Sequence, residues 1–386
     1  VTSLIVAAAL LAATPEAQPK DFIDDARLLF RVVACTGEEP LPEGLDAKVL
    51  EPYCKTQLDR MAKYREHWGS VARDFLTALR PAGLPTTVVY PFGGGDLLSA
   101  LTTYPDAAEV TTLSLELAGD PRRLRGLKDS KKLAANLAAL LEATKSTWVS
   151  NDGKSVNLSK LQKGELPGQL SFHLLGLATQ GQRPVSVKYF RIEPDGALHY
   201  LTEADIAALE ATKAAKLKSE WASPDFSPAF ANVEIAFVAK DAPAGATPRV
   251  HRHIGANLAD DALAAHPELL KHLEAKGKVC AMTKAASYLL WRNDFNAMRK
   301  YLLEHMEYMV SDSTGIPPDY VKKAGFVQET YGSFEKSFLT APRDFNQQLV
   351  KLFASQPARK LPFRYGYPDG SDQRRSHLVI TKRAGP

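Results

Sequence analysis

The stretch Val88–Leu101, VVYPFGGGDLLSAL, constrains this chain more than any other. A β-branched and aromatic run meets three consecutive glycines and an aspartate, and a helical pattern follows. Strand, glycine turn and helix in this order form the first half of a βαβ unit, and such units build parallel sheets with helices on their faces. The sequence beyond extends the pattern. Glu109–Leu117 (EVTTLSLEL) reads as a second strand. Lys128–Trp148 reads as a long amphipathic helix, with Leu133, Leu137, Leu140 and Leu141 in one stripe.

A glycine loop between a strand and a helix presents backbone N–H groups to a ligand. Glu116 lies 21 positions beyond Gly95, near the end of the second predicted strand. An acidic side chain there suits a ribose, whose hydroxyls it accepts. In outline Thr86–Leu117 resembles the opening of Rossmann-like folds, including the class I S-adenosylmethionine methyltransferases. The resemblance implies that Gly93 and Gly95 approach a cofactor and that Glu116 holds its ribose. The loop departs from the dinucleotide pattern at two points. Leu98 stands where a third glycine belongs, and Asp96 places negative charge at the start of the helix. As an N-cap, Asp96 stabilises that helix by about 1 kcal/mol, but it repels phosphate. The residues themselves fit either a ligand loop or a turn between packed elements.

Around this unit the pattern is mixed. Asp21–Arg80 is helical, with Leu28, Leu29, Val32 and Val33 on one face and Leu58, Met61, Tyr64 and Trp68 on another. Ser186–Glu193 and Ala197–Thr202 flank Pro194-Asp195-Gly196 as a β-hairpin. Glu203–Trp221 is helical, and Asn232–Ala239 and Arg249–Ala256 are strands. Helical patterns return at Asp260–Lys276 and Ala285–Met306. Further on, Glu307–Asp312 and Gly325–Gly332 read as strands and Phe345–Ala354 as a helix. Leu361–Tyr367 and His377–Arg383 are expected to close the chain as a strand pair about Pro368-Asp369-Gly370. The fold class that follows is α/β: a mixed sheet with a Rossmann-like opening and C-terminal antiparallel strands, preceded by an N-terminal helical segment.

Composition bounds the partners. The chain of 386 residues carries 48 basic and 44 acidic side chains, a formal net charge of +4. So small an excess excludes a dedicated nucleic-acid binder, which needs a strong, clustered basic bias. Leu4–Ala13 (LIVAAALLAA) is uncharged and apolar, followed by small residues and Pro15. A run of about 10 is too short to span a bilayer, which takes about 20, and fits the core of a secretory signal. Residues 1–18 are therefore expected to be a signal peptide, 19–82 a helical segment and 83–386 the α/β body. The chain is expected in the periplasm or outside the cell, without a membrane span. Cys35 and Cys54 flank a loop rich in Pro, Gly and Glu, and an oxidising compartment would join them. Cys280, in an apolar setting, reads as a packing residue.

Other chemistry is sparse. His251 and His253 alternate along a strand and share one face. They would hold Zn²⁺ only with a third ligand, such as His199 or Asp260, and a solvated face is the simpler reading. Ser311–Tyr320 (SDSTGIPPDY) follows a strand, so Asp312 is a candidate for a pocket rim. Two basic clusters, Arg122–Lys132 and Arg374–Arg375, suit either solvent or an anionic envelope surface. Nucleophile elbows, P-loops and zinc-protease motifs are absent from the sequence. The reading that results is a non-catalytic envelope protein binding a small molecule or envelope component. Gly93, Gly94, Gly95, Asp96, Glu116 and Asp312 would form its site, with no cofactor and no metal. The alternative is a cytosolic enzyme resembling the class I methyltransferases.

Overall fold

The computed structural model describes residues 18–150, 166–211, 227–337, 343–370 and 375–384. Residues 1–17 of the expected signal peptide, the distal part of the Glu203–Trp221 helix and Arg374 lie outside the described residues. The N-terminal segment forms α1 (Ile23–Ala34), α2 (Glu51–Tyr64) and α3 (Ser70–Leu79). A π turn at Arg65–Gly69 joins the last two. Leu28, Leu29, Val32 and Val33 are buried as their spacing predicts, but Leu58 points outward, 45 % exposed.

The strands are β1 (Thr87–Pro91), β2 (Glu109–Ser114), β3 (Gln182–Ile192), β4 (Leu198–Tyr200) and β5 (Val233–Ala239). They continue as β6 (Arg249–Gly255), β7 (Val279–Thr283), β8 (Met306–Ser311), β9 (Phe326–Gly332) and β10 (His377–Arg383). All ten join one sheet in the order β4-β3-β5-β6-β2-β1-β7-β8-β10-β9. The central five, β6-β2-β1-β7-β8, run parallel. Numbered among themselves they have the doubly wound order 3-2-1-4-5. On one side β5 and β3 continue the sheet antiparallel; on the other, β10 lies antiparallel between β8 and β9.

Two apolar layers cover the sheet. On one face α1–α3 pack with α4 (Leu97–Thr103), α5 (Ser130–Ser150) and α6 (Gly168–Thr179). Leu133, Leu137 and Leu140 of the predicted stripe are buried there. On the other face lie α7 (Asp260–Ala265), α8 (Pro267–Glu274) and α9 (Asn296–His305). Pro267 starts a new helix, which splits the single helical pattern expected over Asp260–Lys276.

Two further expectations fail for physical reasons. Leu361–Tyr367 is not a strand. Phe363, Tyr365 and Tyr367 are buried, as their alternation predicts. Their backbone, however, bonds to side chains: Tyr365 N–H to Ser376 Oγ (2.7 Å) and Tyr367 N–H to Asp312 (2.9 Å). β10 pairs with β9 and β8 instead. In addition β7, beside β1 at the centre of the sheet, falls in a stretch that gave no strand signal. All five of its residues are buried, so it shows no alternation.

Cys35 and Cys54 stand at disulfide distance, with S–S 2.07 Å and Cα–Cα 5.4 Å. The link ties the end of α1 to α2. Replacing Cys54 with serine is expected to lower stability by about 3 kcal/mol, chiefly by freeing the unfolded chain. Denaturant midpoints with and without reductant check this; equal midpoints would mean the two thiols are not joined.

Candidate functional site

The glycine loop leaves β1 with a sharp reversal. Phe92 takes a positive φ of 61°, and Gly94 one of 49°. Gly93 N–H returns to Tyr90 O and Asp96 N–H to Gly93 O. Each flanking glycine has a steric reason. A Cβ on Gly93 would lie 2.5 Å from the Tyr90 ring. One on Gly95 would lie 2.7 Å from both Gln169 Oε1 and Phe172 Cβ, at the start of α6. The loop is thus shaped to fold over its own tyrosine and to seat a helix. Gln169 is fully buried there with neither amide atom bonded to protein.

Asp96 caps α4 by accepting Ser99 N–H at 3.2 Å, and its Oδ2 accepts the Tyr90 hydroxyl at 3.2 Å. The same Oδ2 pairs with Lys284 Nζ at 2.8 Å, and Lys284 is fully buried. Nζ also donates to Ser99 Oγ at 2.7 Å. The carboxylate expected to stand as a bare negative charge at the loop is therefore neutralised from the end of β7. Lys284 follows a strand, β7, that is buried throughout and carries no alternation in sequence.

Glu116 lies two residues past the end of β2 and is 4 % exposed. Burial raises its carboxyl above the ordinary range. Its N–H donates to Ser114 Oγ, and its carbonyl receives His253 Nε2 at 2.8 Å. Asp312 follows β8 and has a different set of contacts. Its oxygens accept the N–H groups of Ala285 (3.0 Å), Thr314 (2.9 Å) and Tyr367 (2.9 Å), together with the Thr314 hydroxyl. It clamps the loops after β7 and β8 to the segment around Tyr365. Gly366, at φ 64°, lies against it because any Cβ would meet Oδ2 at 2.0 Å.

These loops share another property. Of the five non-glycine residues with positive φ among those described, four are Phe92, Ala285, Ser287 and Tyr288. All lie in the loops after β1 and β7, the two strands astride the point where strand order reverses. Such conformations cost of order 1–3 kcal/mol each and cluster at functional sites. The comparison of the chain with protein families, curated proteins and solved structures finds no match. The site's meaning rests on its geometry.

The histidines fall elsewhere than expected. His251 and His253 are fully buried, and the third ring beside them is His173 of α6, at centroid distances of 4.3 and 5.0 Å. His199 instead sits 3.3 Å from Asp205, and Asp260 accepts from Asn296 and Ala297 at the start of α9. Among the described residues no group of three His, Cys, Asp or Glu side chains is arranged to hold a metal ion. Two members of the basic cluster are drawn into ion pairs, Arg122 with Asp120 and Glu210 and Arg125 with Asp25. Among the described residues no helix is long and apolar enough to cross a membrane.

Proposed function

We propose that the chain is an exported binding protein that takes a small polar ligand at the C-terminal ends of β1, β2 and β7. The observation that carries this reading is the coincidence of the strand-order reversal with the strained loops at Phe92 and Ala285–Tyr288. Open α/β sheets receive ligands at that crevice. Glu116 and Gln169 supply buried hydrogen-bonding groups beside the turn of Gly93, Gly94 and Gly95. The Asp96–Lys284 pair leaves the loop without net charge, which favours a neutral or zwitterionic ligand over a phosphate. Asp312 serves from behind, holding the loops in place. A cysteine pair at bonding distance supports an oxidising compartment.

A second reading is an enzyme similar to the class I methyltransferases, favoured by the 3-2-1-4-5 strand order and by Glu116 beyond the second strand. Titration calorimetry on the oxidised chain separates the two. A panel of neutral sugars, amino acids and polyols is expected to yield a ligand whose affinity falls about tenfold in Glu116→Ala, the loss of one buried charged or strong hydrogen bond. S-adenosylmethionine is expected to give no heat. Binding of that compound, with the same loss in Glu116→Ala, would transfer the assignment to the second reading. Indifference of every bound ligand to Glu116 would defeat both.

A further inference from the structure

A second cleft, sharing none of the glycine loop's residues, opens beside the disulfide with a volume of about 590 Å³. Its floor is apolar: Phe30 and Ala34 of α1, Leu58 and Met61 of α2. Leu58 is among the few large apolar side chains left facing water. The link between Cys35 and Cys54 fixes the two floor helices to each other, and Arg31 holds the adjoining loop through the Glu39 carbonyl.

The rim is basic. Arg27, Arg65, Arg183 and Lys240 surround the floor, against Glu38 and Glu39 on one lip. Arg27 pairs with Asp24 at 3.9 Å, and Arg183 bonds to the carbonyls of Lys240 and Ala242 and, among the described residues, to no carboxylate. Among the described residues, Arg65 and Lys240 have no carboxylate within ion-pair distance. Three of these cations, Arg65, Arg183 and Lys240, set beside an apolar floor large enough for a small molecule, match an anionic head joined to an alkyl chain.

We propose that this cleft binds a single-chain amphiphile with a carboxylate head, the alkyl chain lying on Phe30, Leu58 and Met61 and the head among Arg65, Arg183 and Lys240. The proposal is independent of the site at the glycine loop. The test is calorimetry on the oxidised full chain with dodecanoate, hexanoate and dodecyltrimethylammonium, all below their micellar concentrations. Dodecanoate is expected to bind, with affinity falling about fourfold per methylene removed, as burial of methylenes requires. The cationic amphiphile is expected to bind at least about tenfold more weakly. The double variant Arg65→Glu, Lys240→Glu reverses two exposed charges and is expected to cut dodecanoate affinity about tenfold while leaving the circular dichroism spectrum unchanged. Leu58→Asp, also at an exposed position, is expected to do the same. The proposal is overturned if dodecanoate gives no heat, if the cationic amphiphile binds equally well, or if the charge reversal leaves affinity unaltered.

Discussion

Replacing Lys284 with methionine is expected to destabilise the protein by about 3–5 kcal/mol, the usual cost of leaving one partner of a buried ion pair without the other. Lys284 is fully buried and its ammonium is shared between Asp96 and Ser99. Methionine fills a similar volume but leaves the Asp96 carboxylate with only the Tyr90 hydroxyl and the helix-capping N–H of Ser99. The double variant Lys284→Met, Asp96→Asn tests the cause. Asparagine keeps the cap, so removing the charge together with its partner is expected to restore most of the loss. Urea denaturation of the two variants supplies the comparison. A single variant within about 1 kcal/mol of the wild type would show that the carboxylate has access to water and that the pair is not the anchor described here.

The same pair shows which parts of the molecule were legible in the sequence. The strand before the glycines, the capping aspartate and the helix beyond were readable because each has a local cause: β-branched residues, glycine freedom and a short polar side chain. The hairpin at Pro194-Asp195-Gly196 was readable for the same reason. Lys284 was not, since it follows a central strand buried on both faces, and VCAMT carries neither period. His173 was hidden differently. It lies in a helix buried nearly all round, where a polar residue has no face to announce it, and only the fold brings it to His251 and His253. Aromatic alternation in Leu361–Tyr367 correctly gave a buried face, yet burial alone does not make a strand. Asp312 and Ser376 took the backbone bonds that a neighbouring strand would have taken.

Stability is expected to fall as the solution is acidified from about pH 6.5 towards pH 4. The cause is the histidine cluster beneath α6. His253 donates through Nε2 to the Glu116 carbonyl, so its Nδ1 accepts from Thr112 Oγ1 at 3.1 Å. Thr112 Oγ1 in turn accepts from His251 Nε2 at 3.0 Å. The chain of bonds is complete with neutral rings. His173 packs over both from α6, with neither nitrogen bonded to protein. Burial pushes His253 down to about 4 against its bond to the Glu116 carbonyl, and holds His173 and His251 well below the ordinary histidine range, where charge on neighbouring groups disfavours those two further. In the unfolded chain the same rings titrate near 6.5. Between these values the unfolded state binds more protons than the folded one, so stability present above pH 6.5 is lost as pH falls. For His253 alone the loss by pH 4 is about 3 kcal/mol. His272, also pushed down to about 4, adds to it from another part of the fold. Glu109, held near 2 with Lys276 and Arg252 beside it, loses its contribution only at lower pH, in a separate window. Denaturant midpoints at pH 7 and pH 5 are therefore expected to differ in the wild type and to differ less in His173→Leu, which removes one of the buried rings. Identical pH dependence in the two proteins would mean that His173 reaches water and carries its proton in the folded state.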